Sequence, residues 1–248
     1  MPDKVRAAVV RAMKAEASRV NLRDLVGLVD QVEHALPGPH WCPSGVLEGV
    51  HLTEPEPGVL RVVACDGHRL AQRSARVADL EIGFPVCGVT VSPSSVSRLS
   101  RSRGRAVPAV VTRDGDLLTV IGGALVVFDV TREPYPGTTR VIPSGPATWS
   151  VDRSALAEVC DGAEREALLR FVGPSGEVVR ATLDTRFLAE ALGALDGDAL
   201  DLWLPGDPTG RFAMSEAGRP DRLEVIMPRR PLMGLSPVDV RVVEKGDV

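Results

Sequence analysis

The chain has 248 residues, 44% apolar and 25% charged, enough for a sizeable buried core, which excludes a disordered or low-complexity polymer. Its formal net charge of −4 gives no global attraction to nucleic acid, although a local basic face can hide in such an average. The four cysteines, Cys42, Cys65, Cys87 and Cys160, show no CxxC or CxxH spacing, no signal-peptide run opens the chain, and no stretch reaches the ~18 apolar residues of a membrane helix; a reduced, cytoplasmic protein is expected.

Such a length favours two ordinary domains. Residues 1–19 are Ala-rich, lack glycine and space Val5, Val9 and Met13 four apart, which predicts a helical extension with one apolar stripe and a basic remainder. Asn21 is placed to cap a second helix carrying Leu22, Leu25, Val26, Val29 and Val32, stopped by Pro37 and Gly38. The segments GVHLT, LRVVACD and RLAQRSARV then read as strands between Pro- and Gly-bearing turns. Another short helix follows, with Ser92 as N-cap, Pro93 at its first position and Gly104 past its end. AVVT, LLTVI and ALVVFDV make three more strands, joined by tight turns at Asp114-Gly115 and Gly122-Gly123.

Dense Pro and Gly between residues 134 and 146 mark a domain boundary, after which the plan repeats. SVDRSALAEVCDG matches RVNLRDLVGLVDQ as a polar cap opening a helix, and ATLDTRFLAEALGAL matches VTVSPSSVSRL. The copies differ in length: 71 positions separate Val20 from Val91, but only 32 separate Val151 from Leu183. The second copy is therefore short of about two strands with their loops. With helices too few to cover both faces of a parallel sheet, the expected class is α+β: two domains of antiparallel sheets with short helices on one face. The expected parts are an extension at 1–19, domains at 20–145 and 146–230, and a tail at 231–248 that is either an added edge strand or a loose end.

Catalytic and metal chemistry find little footing. Cys65, Asp66 and His68 lie close in sequence, but neighbours along a strand point to opposite faces and a turn at Asp66-Gly67 does not obviously bring thiol and imidazole together. His34, His40, His51 and Cys42 show no pairing that supplies three or four metal ligands, and no Gly-rich phosphate loop is present. No enzyme activity, metal or cofactor is expected.

One segment is specific. VVACDGHRLA resembles the A-T-D-G-H-R-L-A stretch in the middle domain of the bacterial DNA polymerase III beta subunit, the sliding clamp, with Cys65 in place of a threonine. PYPGTTRVIP resembles that domain's closing F-P-D-Y-R-R-V-I-P, TLDTRFLAEAL the F-N-x-x-Y-L-x-D-A-L helix of the third domain, and LEVIMPRR its final V-V-M-P-M-R-L. The four motifs keep the family's order from about residue 20 to residue 230. The resemblance implies two clamp-like domains, the second shortened, and a groove between them for peptides of DNA polymerase and repair-type proteins. It assigns Pro43, Cys65, Gly67, His68, Arg69 and Leu70 to one wall, Pro136, Arg140 and Val141 to another, and Val225, Ile226, Met227 and Pro228 to a third. Arg229 and Arg230 stand where the family has apolar and basic residues, so this rim is expected to be cationic and to favour acidic peptides.

Whether such a chain encircles DNA stays open at this point. A ring of six domains would need three copies of a two-domain subunit, with Arg98, Arg101, Arg103 and Arg105 as the candidate DNA-facing residues. The helices at 21–34 and 152–161 are acidic on balance, which favours a peptide-binding module that does not encircle DNA. A clamp-like ligand or partner domain of a transcriptional regulator is the third reading. Homo-oligomerisation and contact with DNA are left open, and membrane association is not expected.

Overall fold

The computed structural model describes residues 18–38, 47, 49–77, 88–101, 108–111, 117–121, 124–131, 135–162, 165–206, 210–230 and 235–245. Its contacts divide the chain into two units, Met1–Gly67 with Gln72–Pro136, and His68–Ala71 with Gly137–Val248. The architecture is α+β, mostly antiparallel sheet with four short helices among the described residues.

The first unit opens with β1 (Ser18–Asn21), so Ser18 and Arg19 lie in a strand rather than in the expected N-terminal helix, whose residues 1–17 are outside the described residues. Helix α1 (Leu22–Asp30) follows directly, burying Leu22, Leu25, Val26 and Val29 at the one-face spacing read from the sequence. A 3-10 turn at Glu33–Ala35 leads on to β2 (Val50–Glu56), β3 (Val59–Cys65) and β4 (Arg69–Arg76), of which residues 72–76 belong to this unit. The second half repeats the plan: β5 (Val89–Val91), α2 (Pro93–Ser100), β6 (Pro108–Val111), β7 (Leu117–Ile121), β8 (Ala124–Phe128) and β9 (Val130–Thr131). Ser92 caps α2 as expected: its hydroxyl oxygen accepts from the Ser95 N–H at 3.3 Å, and Pro93 occupies the first turn. Such a cap stabilises a helix by about 1 kcal/mol. The turns expected at Asp114-Gly115 and Gly122-Gly123, and Gly104, lie outside the described residues.

The two halves exchange their first strands. β1 pairs with β6 of the second half, and β5 pairs with β2 of the first, both antiparallel. The resulting sheets run β1-β6-β7-β8 and β4-β3-β2-β5-β9. Helices α1 and α2 pack on each other, and the Ser100 hydroxyl donates to Asp30 Oδ1 at 2.8 Å across that contact.

The second unit has the same logic with fewer strands. It contains β10 (Trp149–Asp152), α3 (Arg153–Gly162), β11 (Glu166–Val172), β12 (Val178–Asp184), α4 (Thr185–Gly193), β13 (Ala199–Trp203), β14 (Phe212–Glu216) and β15 (Arg219–Ile226). β10 pairs with β13 as β1 pairs with β6, and β11 pairs with β12 as β2 pairs with β5. Among the described residues four strands separate α1 from α2, but two separate α3 from α4. The second domain is therefore shortened by the two strands that the missing length implied. Its core is one cluster around Leu156, Leu169, Phe171, Leu183, Leu188 and Phe212, with the Phe171 and Phe212 rings stacked at 5.6 Å.

The described part of the tail, residues 235–245, contains two strands. Pro237–Arg241 forms β16, parallel to β11, and Val243–Glu244 forms β17, antiparallel to β10. The sheets of this unit thus run β12-β11-β16 and β17-β10-β13-β14-β15. No described helix is long and apolar enough to cross a membrane.

Candidate functional site

The residues assigned by resemblance fall into both units, and each group has its own surroundings. In the first unit, β3 ends at Cys65 and the chain turns through Asp66 and Gly67. Gly67 sits at φ +88°, a conformation that L side chains rarely adopt, so this turn requires glycine. The Gly67 N–H donates to Cys65 Sγ at 3.4 Å. Burial pushes the Cys65 thiol up, that hydrogen bond pulls it partly back, and the nearby Asp66 carboxylate pushes it up again. A thiol held in its protonated form is a poor nucleophile.

Behind this turn lies a buried polar stack. The His51 and Tyr135 rings are parallel within 8° and 4.5 Å apart, and His51 Nδ1 is 3.0 Å from Thr90 Oγ1. Burial lowers the His51 imidazole to about 4. Burial also raises the Tyr135 phenol, as do Cys65 and Asp66, and its hydroxyl has no hydrogen-bond partner among the described residues. Pro136 is exposed, whereas Pro43 lies outside the described residues, as do His40, Cys42 and Cys87.

In the second unit, the segment His68–Ala71 lies beside the end of β15, where the Met227 N–H donates to the His68 carbonyl at 2.8 Å. That bond brings His68, which is exposed, next to Met227 and Pro228, both half-buried. Leu70, Val225 and Ile226 are each 1% exposed, so their side chains belong to the interior beneath this strip. Arg69 is fixed from two sides: its guanidinium pairs with Glu190 and lies 4.5 Å from the Phe187 ring centre. Arg186 lies over the same ring at 4.9 Å, and the His68 imidazole stacks on it at 6.2 Å. Arg140, which is exposed, ends a 3-10 turn, Thr138–Arg140, and Val141 beside it is half-buried.

Phe187 and Glu190 were not singled out by the sequence reading. The available signal was their spacing of three in the TRFLAEAL helix, which places them on one face of α4. Their role is to hold Arg69 in one orientation.

Arg229 departs from its expected place on a cationic rim. Its Nη1 donates to Glu166 Oε1 at 3.1 Å and its Nη2 to Asp184 Oδ2 at 2.8 Å, and its backbone N–H donates to the Thr182 carbonyl. Its charge is committed to two carboxylates of its own unit. Arg230 is exposed.

Of the candidate DNA-facing residues, Arg98 is exposed on α2 with its guanidinium 5.6 Å from the Phe128 ring, and Arg101 donates back to the Ser97 carbonyl at 3.1 Å. Arg103 and Arg105 are outside the described residues. Among the described residues the four helices carry no lysine, and four arginines, Arg23, Arg98, Arg153 and Arg186, against five carboxylates, Asp24, Asp30, Glu158, Asp161 and Glu190. Arg153 is itself bound to the Leu192 carbonyl through two donors at 3.1 and 2.9 Å. Among the described residues no group of three His, Cys, Asp or Glu side chains could hold a metal ion.

No protein-family model and no curated protein matches the sequence. Solved structures do. The chain superimposes on Caulobacter crescentus pol III beta with a TM-score of 0.73 at 24% identity, over 88% of this chain and 66% of that one. The DNA polymerase III subunit beta from Pseudomonas aeruginosa gives 0.72 at 20% identity, over 88% and 67%. The DNA polymerase sliding clamp from Bacillus subtilis gives 0.68 at 19% identity, over 87% and 64%. The chain therefore has the fold of bacterial DNA polymerase III beta sliding clamps, over about two thirds of that subunit's length.

Proposed function

We propose that the chain is a non-enzymatic, clamp-like protein that binds short peptides of polymerase or repair-type partners on the strip formed by His68, Arg69, Met227 and Pro228. The observation that carries this reading is the backbone bond from Met227 to His68, which sets a half-buried methionine and proline beside an exposed imidazole and a held arginine. An apolar strip with a few fixed polar groups is what an extended peptide needs: side-chain anchors from the apolar residues, orientation from the polar ones. The clamp fold of the solved relatives supports the same partner class.

The charge on the helices speaks for a binding module rather than a DNA ring. Gripping a duplex requires cations directed at phosphates, and in the four described helices four arginines against five carboxylates, with no lysine, supply little net attraction.

The test is fluorescence anisotropy with a panel of labelled peptides differing in their apolar anchor residues. Saturable binding is expected, weakened at least about tenfold by Met227→Asp and by His68→Ala and left unchanged by Arg98→Ala. Binding that ignores the Met227 and His68 substitutions would remove the strip from the reading. The same protein is expected not to be retained on nicked circular DNA at moderate salt; stable retention on circles but not on linear DNA would restore the ring.

A further inference from the structure

The tail strand β16 occupies a seat that the fold assigns to another element. In the first unit β2 lies between β5 and β3, and in the second β11, its counterpart, lies between β12 and β16. Since β12 matches β5 in pairing and in position before a helix, β16 holds the place of β3. β3 follows β2 through a short hairpin and is antiparallel to it. β16 arrives from the end of the chain and is parallel to β11, from Leu168 opposite Pro237 to Val172 opposite Arg241.

The seat is specific for the segment that fills it. Val240 and Val242, 2% and 4% exposed, enter the core cluster beside Phe171 and Leu169. Asp239 pairs with Arg170 at 3.3 Å, and the Val242 N–H donates to the Val172 carbonyl at 3.1 Å. Beyond β17, the Lys245 N–H donates to the Thr148 carbonyl, and its Nζ reaches Asp201 Oδ2 at 2.7 Å. Asp201 is 4% exposed, so the tail delivers the counter-charge for a buried carboxylate.

We propose that the edge of β11 in one sheet and the edge of β10 in the other together make a strand-acceptor site, and that its resident ligand is the chain's own tail, residues 237–245. Recognition has three parts: parallel backbone pairing along β11, two valines two positions apart that enter the core, and a lysine three positions further on that meets Asp201. The segment acts as a peptide bound by the rest of its unit, so it need not be covalently joined to that unit to occupy the site. The site is independent of the peptide strip at His68 and Met227, and either can fail without the other.

The test uses the full chain with a specific protease site placed within residues 231–234. After cleavage the tail is expected to remain with the body through gel filtration. A labelled synthetic peptide of residues 235–245 in excess should then replace it, while peptides carrying Val240→Asp or Lys245→Glu should be captured at least about tenfold more weakly. Hydrogen exchange on the intact chain provides a second measurement: Val240→Asp should strip protection from the β11 amides while leaving those of β2 and β3 unchanged. The proposal is overturned if the cleaved tail departs and β11 keeps its protection, if cleavage unfolds the unit beyond recovery by added peptide, or if the variant peptides are captured as well as the natural one.

Discussion

Replacing Arg229 with methionine is expected to lower the stability of the second unit by about 3 kcal/mol, whereas Arg230→Met should change it by no more than about 0.5 kcal/mol. The difference comes from what stands opposite each side chain. Glu166 and Asp184 are directly opposite each other in the β11–β12 register, a like-charge pair that is destabilising if left alone. Asp184 is 3% exposed, and its other oxygen, Oδ1, accepts from the Arg186 N–H as the N-cap of α4, so it cannot turn outward without uncapping the helix. Arg229 bridges both carboxylates, and its removal leaves the buried Asp184 and the half-buried Glu166 facing each other without a counter-charge. Because the Arg229 side chain is 33% exposed, water can recover part of the loss, which places the cost at the low end of the range for broken buried pairs. Of the three tryptophans Trp149 and Trp203 lie in the second unit and Trp41 in the first, so denaturant unfolding followed by fluorescence in a Trp41→Phe background reports the second unit. Adding Asp184→Asn to Arg229→Met should recover part of the loss, and the double-mutant cycle should give a coupling of at least about 1 kcal/mol. Equal stabilities of the two single arginine variants would show that the bridge carries no weight.

Arg229 also shows where the sequence stopped being legible. The resemblance carried by LEVIMPRR placed it on a rim, but its partners are 63 and 45 positions away, and nothing local announces them. The same holds for the tail. From the sequence the segment 231–248 is either an added edge strand or a loose end, and only the third dimension supplies the partner of Pro237–Arg241, β11, some 70 positions earlier and parallel. By contrast, elements held by local chemistry were readable. The one-face spacing of Leu22, Leu25, Val26 and Val29, the Ser92-Pro93 start of α2 and the Asp66-Gly67 turn each rest on forces acting within a few residues. The shortening of the second domain was readable too, because a repeat makes a missing piece a matter of counting. In the candidate site, the turn was legible and its support was not: Phe187 and Glu190 hold Arg69 from a helix more than 115 positions away.

Acid should weaken the first unit through His51. An ordinary histidine titrates near 6.5, and burial lowers His51 to about 4, so between these values the unfolded chain takes up a proton that the folded chain refuses. The sign follows from linkage: stability rises with pH wherever the unfolded state binds more protons. This contribution is fully present above pH 6.5, is lost progressively down to pH 4, and is constant below it. Across the whole interval it amounts to about 3 kcal/mol, and between pH 7.5 and pH 5 to about 2 kcal/mol. Replacement by phenylalanine keeps a flat ring against Tyr135 but removes the titrating group, at the expense of the contact with Thr90 Oγ1. His51→Phe is therefore expected to be somewhat less stable than the natural protein at pH 7.5 and to lose about 2 kcal/mol less on acidification to pH 5. Carboxylates that titrate in the same range are common to both proteins and cancel in the comparison. Unfolding curves followed by circular dichroism at the two pH values measure the difference, and a histidine NMR resonance that stays unshifted down to about pH 5 identifies the residue. Parallel loss of stability in the two proteins would mean that His51 is protonated in the folded state near the ordinary value, and that the wall behind Cys65 and Gly67 is wet rather than sealed.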